Sequence, residues 1–247
     1  MRKSEIRKGE CLVSSTNHRA RERQFVPALR LHTLTPAYDT VVRLTTRERA
    51  VKEALLQAAH LDSASRLLDI GSGTGTFAVL AKRHHPHLEV VGVDPDPSVL
   101  RRARAKAERA QADVTFIEGS ALDLPLPDEA FDRVTSSLMF HHLTAAQKRR
   151  AVGEVSRVLT VGGEFHLADW VRSPGAIRRA LFWSVRLLDG LETTREHANG
   201  GLTDLLRLGG LSDVVQHRSI DAPIGTVGLI SAHPSAGLST GAGSPAG

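Results

Sequence analysis

The chain has 247 residues, a formal net charge of +5 and one cysteine, Cys11. That length suits one α/β domain with a substantial core, or a domain with a small cap. A single cysteine excludes an internal disulfide, and no Cys/His cluster has the local spacing of a zinc site, so no metal is expected. No apolar run approaches the roughly 18 residues of a membrane-spanning helix, and the N-terminus has no apolar stretch of the kind a secretory signal carries. The expectation is a soluble, cytoplasmic protein.

The basic charge is local. Residues 1–33 hold eight Lys/Arg against three acids, and the remainder carries equal numbers of each sign. Polar, basic and without periodicity, 1–33 reads as a largely disordered extension. The neutral remainder argues against a phosphate-tracking surface, so no nucleic-acid partner is expected. From His32 to Ala59 the pattern turns helical, with Val41, Leu44, Val51, Leu55 and Leu56 recurring on one face.

Arg66 to Asp94 then organises the chain. An apolar run, Leu67-Leu68-Asp69-Ile70, meets Gly71, Gly73 and Gly75, then a helical stretch, a second apolar run from Val90 to Val93, and Asp94. The order is strand, tight turn, helix, strand, acid. Glycines allow positive φ and close approach of a ligand, the helix start offers unpaired N–H groups, and an acid ending the second strand can accept both hydroxyls of a ribose. A dinucleotide site would have a third small residue where Thr76 stands, and Asp69 would repel its pyrophosphate. A cationic ligand suits Asp69, which points to S-adenosylmethionine (SAM).

Further along, Asp96-Pro97-Ser98 predicts a helix start, with Val99, Ala103 and Ala107 inward and Arg101, Arg102, Arg104 and Lys106 outward. Val114 to Glu118 reads as a strand followed by Gly119-Ser120-Ala121, and Phe131 to Met139 as another, ending in Phe140-His141-His142. Thr144 to Gln147 has the form of a capping box opening a helix to about Leu159. Gly162-Gly163 is expected to turn into a fifth strand, Glu164 to Trp170. Gly201 to Leu208 reads as a helix, Val214 to Gln216 with Gly225 to Ile230 as a final hairpin-like pair, and 234–247 as a flexible tail.

These residues carry a resemblance. LLDIGSGTG with VVGVD, followed by IEGSALDLPLPDEAFD, RVTSSLMFHHL and EVSRVLTVGGEFHLADW, resembles the class I SAM-dependent methyltransferases, similar to the bacterial small-molecule enzymes of the ubiquinone/menaquinone C-methyltransferase type. The likeness runs from about Tyr38 to Ala232. It implies a Rossmann-like, doubly wound α/β sheet of seven strands, mostly parallel with an antiparallel final strand, in a domain spanning 34–233 whose segment 171–200 forms a helical cap over the acceptor site. Its implied cofactor contacts are Tyr38 as a lid, Asp69, Gly71, Ser72, Gly73, Gly75, Asp94, Pro95, Ser120 and Ala121 beside the adenine, and Ser136 and Ser137. A family acid that accepts from the adenine amino group is Ser120 here, and Val161 replaces the usual proline before the two glycines.

SAM carries an activated methyl, so the protein must hold a nucleophile in line at roughly 3–3.5 Å and exclude water. His141 and His142 end the strand that faces the sulfonium and are the candidate catalytic residues, needed as a base only if the acceptor must lose a proton. Asp169, Trp170, Trp183, Arg186 and His197 are the candidate acceptor contacts. The expected activity is methyl transfer to a small or lipophilic metabolite by a monomer or homodimer. A non-catalytic SAM-binding module is the alternative. An RNA methyltransferase ranks below both, because Ser136-Ser137-Leu138-Met139 replaces the Asn/Asp-Pro-Pro-Tyr/Phe turn of nucleic-acid amino methyltransferases.

Overall fold

The computed structural model describes residues 47–177, 179–180, 182 and 192–235, all within one structural unit. Tyr38, Trp183, Arg186, the extension 1–33 and the tail from 236 onward lie outside the described residues.

The apolar run at Arg66–Ile70 forms β1, a central strand paired in parallel with two neighbours and buried because helices cover both faces of the sheet. Such strands read as continuous apolar runs instead of alternating ones. The others are β2 (Glu89–Asp94), β3 (Thr115–Glu118), β4 (Phe131–Ser137), β5 (Leu159–Val171), β6 (Leu211–Ala222) and β7 (Gly225–Pro234). Their order across the sheet is β3-β2-β1-β4-β5-β7-β6, with β7 antiparallel to both neighbours. The expected seven-stranded, mostly parallel sheet is therefore present. The strand order reverses between β1 and β4, and ligands of open α/β sheets bind beyond the strand ends at such a reversal.

Helices cover both faces. Helices α1 (Glu48–Ala58), α2 (Thr76–His84) and α3 (Pro97–Arg109) pack into one apolar cluster, whereas α4 (Ala145–Val158) and α6 (Leu202–Leu208) pack into the other; the short α5 (Arg195–Asn199) lies between α4 and α6 in sequence. The start signals act as anticipated. Asp96 accepts from the backbone N–H of Ser98 and Val99 ahead of Pro97, and Thr144 and Gln147 form a reciprocal capping box.

Four expectations change. β4 ends at Ser137, because Leu138 takes a left-handed φ of 53° and the chain enters a 3₁₀ turn at Phe140–His142. The Gly162-Gly163 turn is instead a bulge inside β5: α4 passes straight into the strand, Gly162 has φ 79°, and the pairing with β4 shifts between Phe131 and Arg133. In α3, Leu100 is buried and Val99 is not. Lys106 points to the glycine turn, its Nζ donating to the hydroxyls of Thr74 and Thr76 at 3.0 and 2.5 Å, so it is no simple solvated cation.

The glycine turn shows why its three glycines differ. All have positive φ, at 68°, 53° and 71°. A Cβ on Gly71 would lie 2.5 Å from Met139 Cγ, and one on Gly75 would lie 2.6 Å from Phe116 Cζ; one on Gly73 would meet nothing within 4 Å. Gly71 and Gly75 answer to packing, and Gly73 faces open space. Gly75→Ala is expected to destabilise by about 1–2 kcal/mol from backbone strain and about 1–3 kcal/mol more from overpacking, whereas Gly73→Ala incurs the strain alone. Urea unfolding of the two variants checks the difference.

Candidate active site

At the end of β1 the turn is tied to the end of β2. The N–H groups of Gly71 and Ser72 donate to the Val93 carbonyl at 2.8 and 3.0 Å, and the Gly73 N–H donates to Asp94 Oδ2 at 3.0 Å. Asp94 Oδ1 accepts from the Asp96 N–H at 3.0 Å. Burial raises the Asp94 carboxyl above the usual range, with these two N–H donors opposing. A carboxylate offers about four acceptor positions, so two remain. The Ser72 hydroxyl is buried and has no hydrogen-bond partner among the described residues. Pro95 beside it is exposed.

Asp69 lies one pleat back and is 1% exposed. In register it sits between Gly92 and Thr135, one lacking a side chain and the other giving its hydroxyl to Asp69 Oδ1 at 3.2 Å. Burial pushes the carboxyl up to about 7, with Lys52 and the Thr135 hydroxyl opposing and Asp94 reinforcing. Among the described residues, these opposing groups do not outweigh burial. On the far side, the Ser120 hydroxyl accepts from the Leu122 N–H at 3.1 Å and so shapes its own loop, and Ala121 is half-buried beside it. Ser136 is fully buried and donates to the Ile70 carbonyl at 3.0 Å, which ties β4 to β1; Ser137 is half-buried at the strand end.

A second polar group stands at the ends of β4 and β5. His141 Nδ1 lies 2.8 Å from Asp169 Oδ1, and the His141 backbone N–H donates to Oδ2 at 3.3 Å. The Trp170 N–H also donates to Asp169 at 2.7 Å. Burial works against ionising Asp169, but His141, the hydrogen bonds and His197 more than offset it, and the carboxyl is held well below its usual range. With Asp169 anionic, the proton between the two rests on Nδ1 of His141. The His142 ring packs 4.0 Å from that of His141. Burial, followed by the charge on His141, lowers His142 to about 3, so it stays neutral and is a poor proton acceptor near pH 7.

His197 completes the group. Its Nδ1 lies 2.6 Å from the Trp170 carbonyl, which requires the proton there, and its buried Nε2 has no hydrogen-bond partner. The Trp170 ring, in contrast, is 2% exposed and packs 5.6 Å from Phe182, so its side chain belongs to the core and not to an acceptor surface. Two features were missed at the sequence level. Fully buried Lys148 donates to the Thr193 carbonyl and to Glu196 at 2.9 Å, pinning the segment before α5 to α4. Its position four residues before Val152 on the inner face of α4 is the signal that could have exposed it. The fold also assembles His60, Glu164 and His166, whose ligand atoms all lie within 4.8 Å of one another.

Similarity to known proteins shows the family. Residues 67–163 match the model of a methyltransferase domain. The demethylmenaquinone methyltransferase of Thermus thermophilus is 38% identical over 163 residues, 62% of this chain and 71% of the relative. That of Deinococcus radiodurans is 36% identical over 151 residues, 60% of this chain and 62% of the relative. An O-methyltransferase family protein from Burkholderia thailandensis shares the fold with a TM-score of 0.64 at 21% identity, over 81% of this chain and 62% of that one.

The raised Asp69 has a consequence for the free protein. Its folded value of about 7 lies above the ordinary 3.8, so its contribution to stability is fully present below about pH 4 and is lost as pH rises through 7. At about 1.4 kcal/mol per unit, the loss reaches up to about 4 kcal/mol. Asp69→Asn is expected to raise the melting temperature of the ligand-free protein at pH 8 and to flatten this pH dependence, as measured by calorimetric melting from pH 5 to 8.

Proposed function

The chain belongs to the class I S-adenosylmethionine-dependent methyltransferases, and from that premise we propose that it methylates a small, lipophilic acceptor bearing an ionisable hydroxyl on an aromatic ring. The observation that carries this reading is the buried His141–Asp169 pair at the reversal of the strand order. Two relatives named for demethylmenaquinone support an acceptor of that chemistry.

The residues fit the cofactor, which when bound supplies a methyl on a sulfonium for in-line displacement. Asp94 keeps two acceptor positions for a ribose diol, and Gly73 leaves room where a side chain would intrude. The Ser72 hydroxyl, without a hydrogen-bond partner among the described residues, and the Asp69 carboxylate face the same turn and suit a polar, cationic ligand. Gly71 and Gly75 keep the turn closed behind them. Ser120, Ala121, Pro95 and Ser137 supply the remaining rim in this proposal, and Ser136 supports it from behind.

Asp169 orients His141, whose Nε2 takes the proton of the acceptor hydroxyl and later gives it to solvent. The resulting phenolate is the stronger nucleophile through oxygen or through the adjacent ring carbon. His197, with its proton held on Nδ1, offers Nε2 as an acceptor for a donor group on the same substrate. The domain spans 34–233, with the basic extension 1–33 and the tail outside the chemistry, and it acts in the cytoplasm as a monomer or homodimer without nucleic acid. No helix among the described residues is long and apolar enough to cross a membrane.

Conversion of SAM to S-adenosylhomocysteine, with reduced demethylmenaquinone and a panel of hydroxylated aromatics, tests the proposal. His141→Ala is expected to lower kcat by about 10²–10⁴-fold while leaving SAM affinity unchanged, and Asp169→Asn to act in the same direction. SAM binding without turnover on any acceptor would sink it. SAM affinity should weaken roughly tenfold per pH unit below about 7, because Asp69 must lose its proton to meet the cation. Asp69→Asn should bind weakly at every pH, and calorimetric titration at pH 6, 7 and 8 separates the two patterns.

A further inference from the structure

The group His60, Glu164 and His166 gathers on β5 and the turn ahead of β1. His60 immediately precedes the 3₁₀ turn Leu61–Ser63 that leads into β1; in the middle of β5, His166 lies in register with Thr135, and Glu164 lies in register with Arg133, further from the glycine turn. His60 Nδ1 is 3.2 Å from Glu164 Oε2, and His166 Nε2 is 2.9 Å from the same oxygen. The two rings meet edge to face with centroids 5.8 Å apart, so their nitrogens converge instead of stacking. The geometry points to a binding site for a divalent transition metal of the zinc type, held by His60 Nδ1, His166 Nε2 and one oxygen of Glu164.

Spacing, chemistry and support all favour this reading. Tetrahedral zinc with bonds of about 2.0–2.2 Å separates its ligand atoms by roughly 3.2–3.6 Å. The two measured separations are close to that range, and the three atoms lie within 4.8 Å of each other, so small side-chain movements admit an ion. Two imidazoles and a carboxylate suit zinc, cobalt or nickel over magnesium and calcium, which want more oxygens. Each imidazole would bind through the nitrogen that faces Glu164 Oε2, and the proton on that nitrogen leaves it as the ion enters.

The outer support exists already. Arg133 Nη2 sits 3.4 Å from Glu164 Oε1, and Arg133 is itself held by the Ala59 and Asp132 carbonyls at 3.1 and 2.9 Å. It occupies one carboxylate oxygen and leaves Oε2 for the ion, as outer partners do in metal sites. His60 is open to solvent, with 68% of its side chain exposed, which provides an entry path and room for water as the fourth ligand. The residue adopts a left-handed φ of 48°, and a bound ion would fasten this loop to β5.

Cobalt titration of the untagged full-length chain, stripped with chelator, tests the site. The expected result is the strong visible absorption of four-coordinate cobalt, saturating near one equivalent, bleached by zinc and matched by a zinc-dependent rise in melting temperature. His60→Ala, an exposed position, and the isosteric Glu164→Gln should weaken binding by more than the about 10–100-fold that follows loss of an outer partner. His217→Ala, on β6 and outside the group, should bind as the unaltered chain does. Absence of the four-coordinate spectrum, or equal affinity in His60→Ala and Glu164→Gln, overturns the proposal.

Discussion

Two buried carboxylates of opposite temper define the working end of this sheet. Asp69 and Asp169 are both almost fully excluded from water, at 1% and 0% exposure, and burial alone would hold both neutral. Asp169 escapes because the His141 ring and the backbone N–H of Trp170 bond to it and the His197 ring lies close by. Asp69 has a single hydroxyl and a distant lysine, and burial wins. The contrast sets a division of labour that a pair of titratable groups with separated pKa values commonly signals. One carboxylate is already bonded to a histidine; burial holds the other above its usual range.

The sheet order places these two groups together. β1 and β4 are neighbours at the reversal of strand order, and β5 is the next strand along, so the ends carrying Asp69, His141 and Asp169 share one side of the molecule. Backbone detail then aims the side chains. The left-handed turn at Leu138 stops β4, swings Met139 against Gly71 and sends His141 into a 3₁₀ turn over Asp169. A regular continuation of β4 would have turned His141 and His142 to opposite faces. The turn instead brings the two rings to 4.0 Å at a tilt of 44° and sets His141 Nδ1 on the carboxylate.

The glycine turn and the caps at Asp96 and Thr144 were legible because each depends on residues within a few positions of one another, whereas the sheet was legible only through the family resemblance. The ligand chemistry was legible for the same reason, since Asp69 and Asp94 are fixed relative to the turn by the two strands that carry them. The roles of individual serines and of Trp170 were less so. Ser136 reads as a contact by its place at a strand end, but its hydroxyl satisfies the Ile70 carbonyl, and only the partner strand reveals that. Trp170 follows Asp169 directly, and the pleat sends its ring to the other face of the sheet, among α1 and Phe182.

What escaped the sequence is what the fold assembles from a distance. His60 and Glu164 are 104 residues apart, and Lys148 and Glu196 are 48 apart, so no local spacing rule can join either pair. Lys148 and His166 are buried and hydrogen-bonded, as buried polar groups must be, while His60 reaches Glu164 from the solvent side. Yet the two pairs differ in what remains unmet. Lys148 is satisfied by the Thr193 carbonyl and Glu196, which explains it as a clamp on the segment before α5. At Glu164 two imidazoles turn their nitrogens on one oxygen while an arginine takes the other, an arrangement with more convergence than a staple between a loop and a strand requires. That surplus of ligating atoms around one point is the physical ground for placing an ion there.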